Sequence, residues 1–286
     1  MSKVYLNDRI VDSDLATIPA NDAGFLYGAG LFETMRCHNG IVFSLKDHLD
    51  RLCFSAAKLA IRMTQDREVL TDAIHQVLRS NGLTEARIRL TLSTGPVFAE
   101  DDAHPSTLLV SATSFEPYPE DYYRKGVQTV LCPIRQNATD PLVGHKTTSC
   151  FTRMSALKQA HRKNAAEAIW FTTEDRLAEG CVSNCFLVKD GKLMTPPIET
   201  PILPGVSRKN VCNIAIRDGI DLVEKDLTID DLLGADEVFL TNIIMKVLPV
   251  IGIEKHTVGT GKVGPVTEQV KTAFSEEIQS QCRRPV

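Results

Sequence analysis

The stretch LFETMRCHNGIVFSLKDHLDRL, residues 31–52, decides the fold of the N-terminal half. LFETMRC and IVF are strand-like, and the Asn39-Gly40 pair between them is typical of a tight β-hairpin. After Ser44, apolar residues recur at helical spacing, and Ser44 with Asp47 resembles a capping box. The stretch therefore predicts a hairpin followed by an amphipathic helix.

The sequence on both sides extends this pattern. VYLNDRIV (4–11) predicts two short strands around Asn7-Asp8, and a second helix is predicted over 66–81 with Gly82 as its C-terminal stop. RIRLTLS (87–93) and STLLVSATSF (106–115) read as further strands. The fold class predicted for this half is α+β.

The segment FEPYPEDYYRKG (115–126) carries two prolines and several charges, which favours a domain linker with its boundary near Pro119. Beyond it, strands at VQTVLC, EAIWFT and CFLVKDGKLMT alternate with helices near 149–164, 207–218 and 266–280. We predict a small N-terminal α+β domain over 1–118 and a larger domain over 119–286, in which a sheet or barrel is flanked by helices.

Composition limits the classes of function. The chain has 286 residues, 43% of them hydrophobic, which excludes disordered and fibrous classes. Its net charge of −4 comes from well-mixed basic and acidic residues, so we expect no nucleic-acid partner. The sequence shows neither a leader nor a span long enough for a bilayer, so we expect a cytoplasmic protein with no membrane partner. Eight scattered cysteines form no CxxC pair, and no metal site is expected.

Four groups of segments occur in a recognisable order: GAGLFETMR (28–36) with HLDRL (48–52), GHKTTSCFTRMSAL (144–157), LAEGCVSNCF (177–186), and ILPGVSR (202–208) followed by EVFLTNIIMKVLPV (237–250). Together they resemble the fold-type IV pyridoxal 5'-phosphate (PLP) enzymes, the family of branched-chain aminotransferases, D-amino acid aminotransferases and aminodeoxychorismate lyases. The resemblance covers nearly the whole chain. It implies bound PLP, a small-molecule substrate and a homodimer.

The resemblance gives roles to three residues. Lys146, in GHKTTS, stands where the family carries the lysine that forms a Schiff base with PLP, and desolvation can supply the neutral amine this needs. Glu179 matches the carboxylate that pairs with the pyridine nitrogen and keeps the ring protonated as an electron sink. Asn184 is expected to support the edge of the cofactor. A surface lysine and a strand-end glutamate are the alternatives.

A second set of residues matches the phosphate site of the family. ILPGVSR places Gly205, Val206 and Ser207 at the start of a predicted helix, where unpaired N–H groups favour an anion. Arg51 matches the phosphate-binding arginine of the family. Asn242 and Ile243 are cofactor-binding candidates, since they stand where aminotransferases of the family tend to carry a Gly-Thr pair. A capped helix and a surface arginine would explain the first two features equally well.

Phe32, Thr34 and Arg36 alternate along a strand and so project from one of its faces. The resemblance implies that this strand lines the substrate pocket. A half-buried hairpin with no ligand would give the same alternation.

The departures from the family pattern bear on the reaction. Phe151 replaces a tyrosine of the branched-chain aminotransferases, RIRLTLSTG lacks their pocket pattern, and the Thr-Asn-x-x-Met form of TNIIM is closer to the lyases. Against this, Thr94 stands where many lyases carry arginine. The leading hypothesis is 4-amino-4-deoxychorismate lyase, which releases pyruvate and gives 4-aminobenzoate for folate synthesis. The alternative is an aminotransferase of branched-chain or D-amino acids, and a catalytically inactive binding protein is disfavoured because Lys146 and Glu179 are present.

Overall fold

A computed structural model describes residues 1–97 and 106–283. The chain divides into two compact units. The first comprises Met1–Glu116, His145–Cys150 and Ile278–Val286, and the second comprises Pro117–Gly144 and Phe151–Glu277. None of the helices in the described part is long and apolar enough to span a bilayer.

The first unit contains an antiparallel sheet of six strands in the order β2-β1-β6-β5-β3-β4. Both predicted hairpins are confirmed, and their turns place Asn7 and Asn39 in the left-handed region at φ 59° and 54°. The elements are β1 (Lys3–Leu6), β2 (Arg9–Asp12), α1 (Ala23–Tyr27), β3 (Gly30–His38), β4 (Ile41–Val42), α2 (Leu45–Lys58), α3 (Arg67–Ser80), β5 (Ala86–Ser93) and β6 (Leu108–Ser114).

One face of this sheet packs on helices α2 and α3. Leu31 and Met35 of β3 share a buried core with Leu49 of α2 and Ile74 of α3, as the helical spacing predicts. The capping box predicted at Ser44 is wrong. Ser44 has a left-handed backbone with φ 50° and makes no side-chain cap, and its hydroxyl lies 3.3 Å from Oε1 of Gln281 instead.

The second unit is built on a nine-stranded sheet. Six of its strands form a closed ring in the order β10-β13-β14-β7-β8-β9, because β9 pairs with both β8 and β10. Helix α5 packs on β8 and helix α6 on β13, so the prediction of a sheet or barrel flanked by helices is confirmed. The elements are α4 (Glu120–Lys125), β7 (Val127–Leu131), α5 (Phe151–Arg162), β8 (Glu167–Phe171), β9 (Leu177–Gly180), β10 (Asn184–Lys189), β11 (Lys192–Thr195), α6 (Val206–Arg217), β12 (Leu222–Glu224), α7 (Ile229–Leu233), β13 (Glu237–Asn242), β14 (Lys246–Ile253), β15 (His256–Thr257) and α8 (Pro265–Gln281).

The compact units differ from the predicted division in one respect that matters for chemistry. The break falls between Glu116 and Pro117, near the predicted linker, but the segment 145–150 belongs to the first unit. The reason is backbone pairing with β3: the amide of Phe32 donates to the carbonyl of Lys146 at 2.9 Å, and the amide of Thr148 donates to the carbonyl of Gly30 at 2.8 Å. Part of the predicted linker is the short helix α4.

Candidate active site

Lys146 lies beside strand β3 in the first unit. The bridge between Leu31 and Thr147 and the two backbone hydrogen bonds next to it hold its segment against the strand. The side chain is half-buried, and Nζ lies 4.5 Å from the centre of the Phe32 ring. The backbone that carries the candidate lysine is therefore fixed by a β-bridge rather than left in an unpaired loop.

Phe32, Thr34 and Arg36 do lie on one face of β3, the face turned away from α2 and α3. Their cross-strand neighbours on β5 are Thr91, Arg89 and Arg87 respectively. The guanidinium of Arg89 lies 3.4 Å from the centre of the Phe32 ring, and that of Arg36 lies 4.1 Å from the Phe115 ring. The face is thus basic and aromatic, and Lys146 and Arg89 both contact the same ring.

The opposite face of β3 carries a buried ionic cluster. Glu33 accepts hydrogen bonds from Nε of Arg51 at 2.8 Å and from Nη2 of Arg51 at 2.6 Å, and its Oε2 lies 2.8 Å from Nδ1 of His48. Burial alone would raise the pKa of Glu33, but the charge of Arg51 and the hydrogen bond with His48 outweigh it and lower the pKa to about 2. Burial lowers the pKa of His48. Arg51 is therefore oriented by a buried, ionised carboxylate.

Glu179 is held by donors on both carboxylate oxygens. Nη2 of Arg153 lies 2.7 Å from Oε1, and Oε2 accepts the backbone N–H of Leu203 at 3.0 Å. Nδ2 of Asn184 lies 3.4 Å from Oε2 and donates to the carbonyl of Leu203 at 2.9 Å. The side chain of Glu179 is only 4% exposed, and these hydrogen bonds fix the orientation of its carboxylate.

A second buried carboxylate shapes the turn that follows Glu179. Glu167, on β8, accepts hydrogen bonds from the amides of Cys181 and Val182 and from the hydroxyl of Ser183. Burial raises the pKa of Glu167, although these hydrogen bonds oppose that effect. The hydrogen bonds to Glu167 therefore hold the turn between β9 and β10, and this turn fixes the positions of Glu179 and Asn184.

Three of the predicted phosphate-binding residues, Gly205, Val206 and Ser207, lie at the start of α6. Gly205 is the N-cap, no side chain caps the helix, and a Cβ on Gly205 would collide with the side-chain amide of Asn184. The hydroxyl oxygen of Ser207 is buried without a hydrogen-bond partner among the described residues. An uncapped helix start beside a buried unsatisfied hydroxyl fits an anion such as the PLP phosphate.

Asn242 is the last residue of β13, and Ile243 begins the turn between β13 and β14. Oδ1 of Asn242 accepts the amides of Ile244 at 2.9 Å and Met245 at 2.8 Å, and Nδ2 donates to the carbonyl of Val182 at 3.0 Å. The Asn242 side chain thus holds the backbone of Ile244, Met245 and Val182 in place. The neighbouring hydroxyl of Thr241 is buried and has no hydrogen-bond partner within the described residues.

Sequence analysis did not single out Glu33, Arg89 or Arg153. For Glu33 the sequence did contain a signal. Its side chain projects from the opposite face of the strand to Phe32, and HLDRL places His48 and Arg51 three residues apart on one helix face. Arg153 has no such local signal, since its partner Glu179 is 26 residues away.

A family model described as amino-transferase class IV matches residues 30–253. The chain belongs to the class IV aminotransferase family. Proteins of this family are PLP-dependent enzymes, so the family, the enzyme class and the cofactor predicted from the sequence are confirmed. The predicted site residues are a separate matter and remain proposals.

Two relatives in the class IV family match over nearly their whole length. A "Putative branched-chain-amino-acid aminotransferase" of Methanocaldococcus jannaschii is 33% identical over 96% of both chains. A D-alanine aminotransferase of Listeria innocua is 30% identical and covers 98% of this chain and 97% of its own.

Solved structures of two branched-chain aminotransferases and of an aminodeoxychorismate lyase are similar to this chain over nearly its whole length. The branched-chain aminotransferase of Escherichia coli superimposes with a TM-score of 0.93 at 26% identity, over 99% of this chain and 96% of that one. The branched-chain aminotransferase of Thermoproteus uzoniensis, solved with norvaline, gives 0.90 at 28% identity, over 98% and 95%. The aminodeoxychorismate lyase of Pseudomonas aeruginosa gives 0.84 at 26% identity, over 96% and 98%.

Proposed function

We propose that this protein is a PLP-dependent aminotransferase that moves the amino group of a small amino acid, either a branched-chain or a D-amino acid, to a 2-oxo acid. The two relatives above carry these two activities in their names. When bound, PLP supplies an electron sink that stabilises negative charge on the substrate carbon. The remaining tasks fall to side chains of this chain.

The roles that we assign come from the family resemblance, and the observed contacts support them. Lys146 holds the cofactor and moves the proton on and off the substrate carbon. Glu179 pairs with the pyridine nitrogen, and Asn184 supports it by orienting its carboxylate. Arg51 and the uncapped start of α6 at Gly205, Val206 and Ser207 bind the phosphate.

The observation that carries the substrate proposal is the ring of Phe32 with Arg89 and Lys146 both against it. The guanidinium of Arg89 thus contacts the same aromatic ring as the amine of Lys146, our proposed reactive group. A carboxylate is the group that a guanidinium recognises best, and amino acids and oxo acids both carry one. Thr34 and Arg36, on the same face, extend this surface for the rest of the substrate.

The lyase is a second candidate. The Thr-Asn-x-x-Met form of residues 241–245 and the likeness to the Pseudomonas aeruginosa lyase favour it. Two observations weaken it. The side chain of Asn242 is engaged by backbone groups at both ends, and Phe151 is 85% exposed at the start of α5. We therefore place the aminotransferase first.

We also propose that the enzyme is a homodimer. Helix α1 presents Phe25 and Tyr27 at 78% and 64% exposure, and Leu15 nearby in sequence is 72% exposed. Large exposed apolar side chains in one segment are typical of a surface covered by a partner. Light scattering of the purified protein tests this directly.

The reaction is tested by following the cofactor. In a single turnover, L-leucine, L-glutamate or a D-amino acid should convert the bound PLP to the pyridoxamine form, and a 2-oxo acid should restore it. Aminodeoxychorismate should yield no 4-aminobenzoate. Release of pyruvate and 4-aminobenzoate, with PLP unchanged and no response to any amino acid, would give the function to the lyase.

A further inference from the structure

We propose that Arg153 is a positioning residue that keeps the proton shared by Glu179 and the cofactor's ring nitrogen on the ring. This rests on the proposed function, since it assumes the pairing of Glu179 with that nitrogen. Arg153 would act through Glu179 and would not itself contact the substrate.

Arg153 forms a clamp around Glu179. From helix α5, its Nη2 reaches Oε1 of Glu179 at 2.7 Å and Oε1 of Gln136 at 2.9 Å, and its Nη1 donates to the carbonyl of Gly180 at 3.1 Å. The guanidinium also lies 5.3 Å from the Trp170 ring. With 27% of its side chain exposed, Arg153 is partly shielded from solvent and its charge is not fully screened.

Within the described part of the chain, the other groups that contact the Glu179 carboxylate are neutral. Oε2 meets the backbone N–H of Leu203 and the neutral amide of Asn184, and the nearby ionisable group on β8 is Glu167, a carboxyl group. Among the described residues of the second unit, Arg153 is the cation that forms an ion pair with Glu179. Its guanidinium is therefore the positive charge that directly contacts the Glu179 carboxylate.

This ion pair bears on where a proton shared by Glu179 and the ring nitrogen would reside. A buried carboxylate beside a protonated ring nitrogen can take the proton and leave a neutral pair, because burial disfavours separated charges. A guanidinium bound to Oε1 of Glu179 would stabilise the carboxylate as an anion and oppose that transfer. The ring then stays protonated, which its role as an electron sink requires.

The test uses PLP labelled with ¹⁵N at the ring nitrogen, whose chemical shift reports protonation. Wild type should show a protonated ring at neutral pH. Arg153→Gln should show a shift moved toward that of the unprotonated ring and a turnover reduced about tenfold or more, while Arg153→Lys, which keeps the charge, should stay close to wild type in shift. Arg124→Gln, an exposed arginine on α4, is the matched control and should change neither.

The outcomes separate this inference from the proposed function. A wild-type protein that takes up no PLP, or a Glu179→Gln variant with wild-type shift and turnover, would refute the pairing of Glu179 itself. With that pairing intact, a protonated ring in Arg153→Gln would overturn the role of Arg153. Loss of the proton in both Arg153 variants would show that contact geometry, not charge, matters, and would also overturn it.

Discussion

Asn184 and Glu179 are direct partners in the ladder between β9 and β10 that closes the barrel, and Nδ2 of Asn184 lies 3.4 Å from Oε2 of Glu179. The same pair thus fixes the backbone and the carboxylate of Glu179. Because strand pairing sets the register, neither residue can move without opening the ring of strands. A carboxylate that we propose pairs with one ring nitrogen gains precision from such a rigid support.

Lys146 should carry the cofactor. Purified protein incubated with PLP should turn yellow, and borohydride should fix the cofactor covalently to the peptide that contains Lys146, as peptide mass spectrometry would show. Lys146→Ala should abolish the covalent adduct, whereas Lys158→Ala, at an exposed position on α5, should leave it intact. An adduct on Lys158 or on another lysine would remove Lys146 from this role.

Much of the fold follows from local chemistry in the sequence. The Asn7-Asp8 and Asn39-Gly40 turns and the apolar stripe of α2 are local signals, and the structure has the predicted elements there. The cap at Ser44 failed because a left-handed backbone at that residue directs the hydroxyl away from the helix amides. That backbone conformation depends on the hairpin before it, which a four-residue motif does not encode.

The site was predictable only in part, for a similar reason. Segments matched to a family point to Lys146 and Glu179, but the partners that orient the site residues come from distant positions. Arg153 reaches Glu179 across 26 residues, and Leu203 reaches it across 24. Such contacts depend on how the strands close into a ring, and no periodicity in the sequence carries that information.

Arg51 should bind the phosphate while Glu33 orients it. Removing Arg51 alone also leaves the Glu33 charge buried without its cation, which destabilises the fold. We therefore expect the clean measurement in a background of Glu33→Gln, where adding Arg51→Ala should weaken PLP binding by about 1.5–3 kcal/mol. Fluorescence titration of PLP would give the dissociation constants.

A matched control for Arg51 is Arg62→Ala, an exposed residue just beyond α2 that should leave the dissociation constant of PLP unchanged. Equal PLP affinity in Glu33→Gln with and without Arg51 would mean that Arg51 serves the fold only. A double-mutant cycle over wild type, Glu33→Gln, Arg51→Ala and the double variant separates the role of Arg51 in PLP binding from its role in the fold.

Glu33 should make the free energy of unfolding depend on pH in the acid range. Its pKa in the folded protein is about 2, below the ordinary value of 4.5, so the folded state favours the ionised form. The stability it contributes is therefore fully present above pH 4.5 and is lost as pH falls from about 4.5 toward about 2. Integrated over that window, the loss amounts to about 3 kcal/mol in the free energy of unfolding.

Urea unfolding of the PLP-free protein at several pH values would measure this, since PLP binding has its own pH dependence. In a His48→Gln background, the difference in unfolding free energy between the parent and Glu33→Gln should be constant above pH 4.5 and shrink below it, because the glutamine at position 33 cannot take up the proton. Glu68→Gln, an exposed glutamate on α3, should run parallel to wild type throughout.

His48 adds to the acid loss in both proteins, since its lowered pKa means that protonation below about pH 6.5 favours the unfolded chain. Glu33 raises the pKa of His48 through its charge and hydrogen bond, so Glu33→Gln would change the His48 contribution. The His48→Gln background removes that contribution from both proteins, and the remaining pH dependence belongs to Glu33. A difference that stayed constant down to pH 3 would show that Glu33 is not held ionised by Arg51.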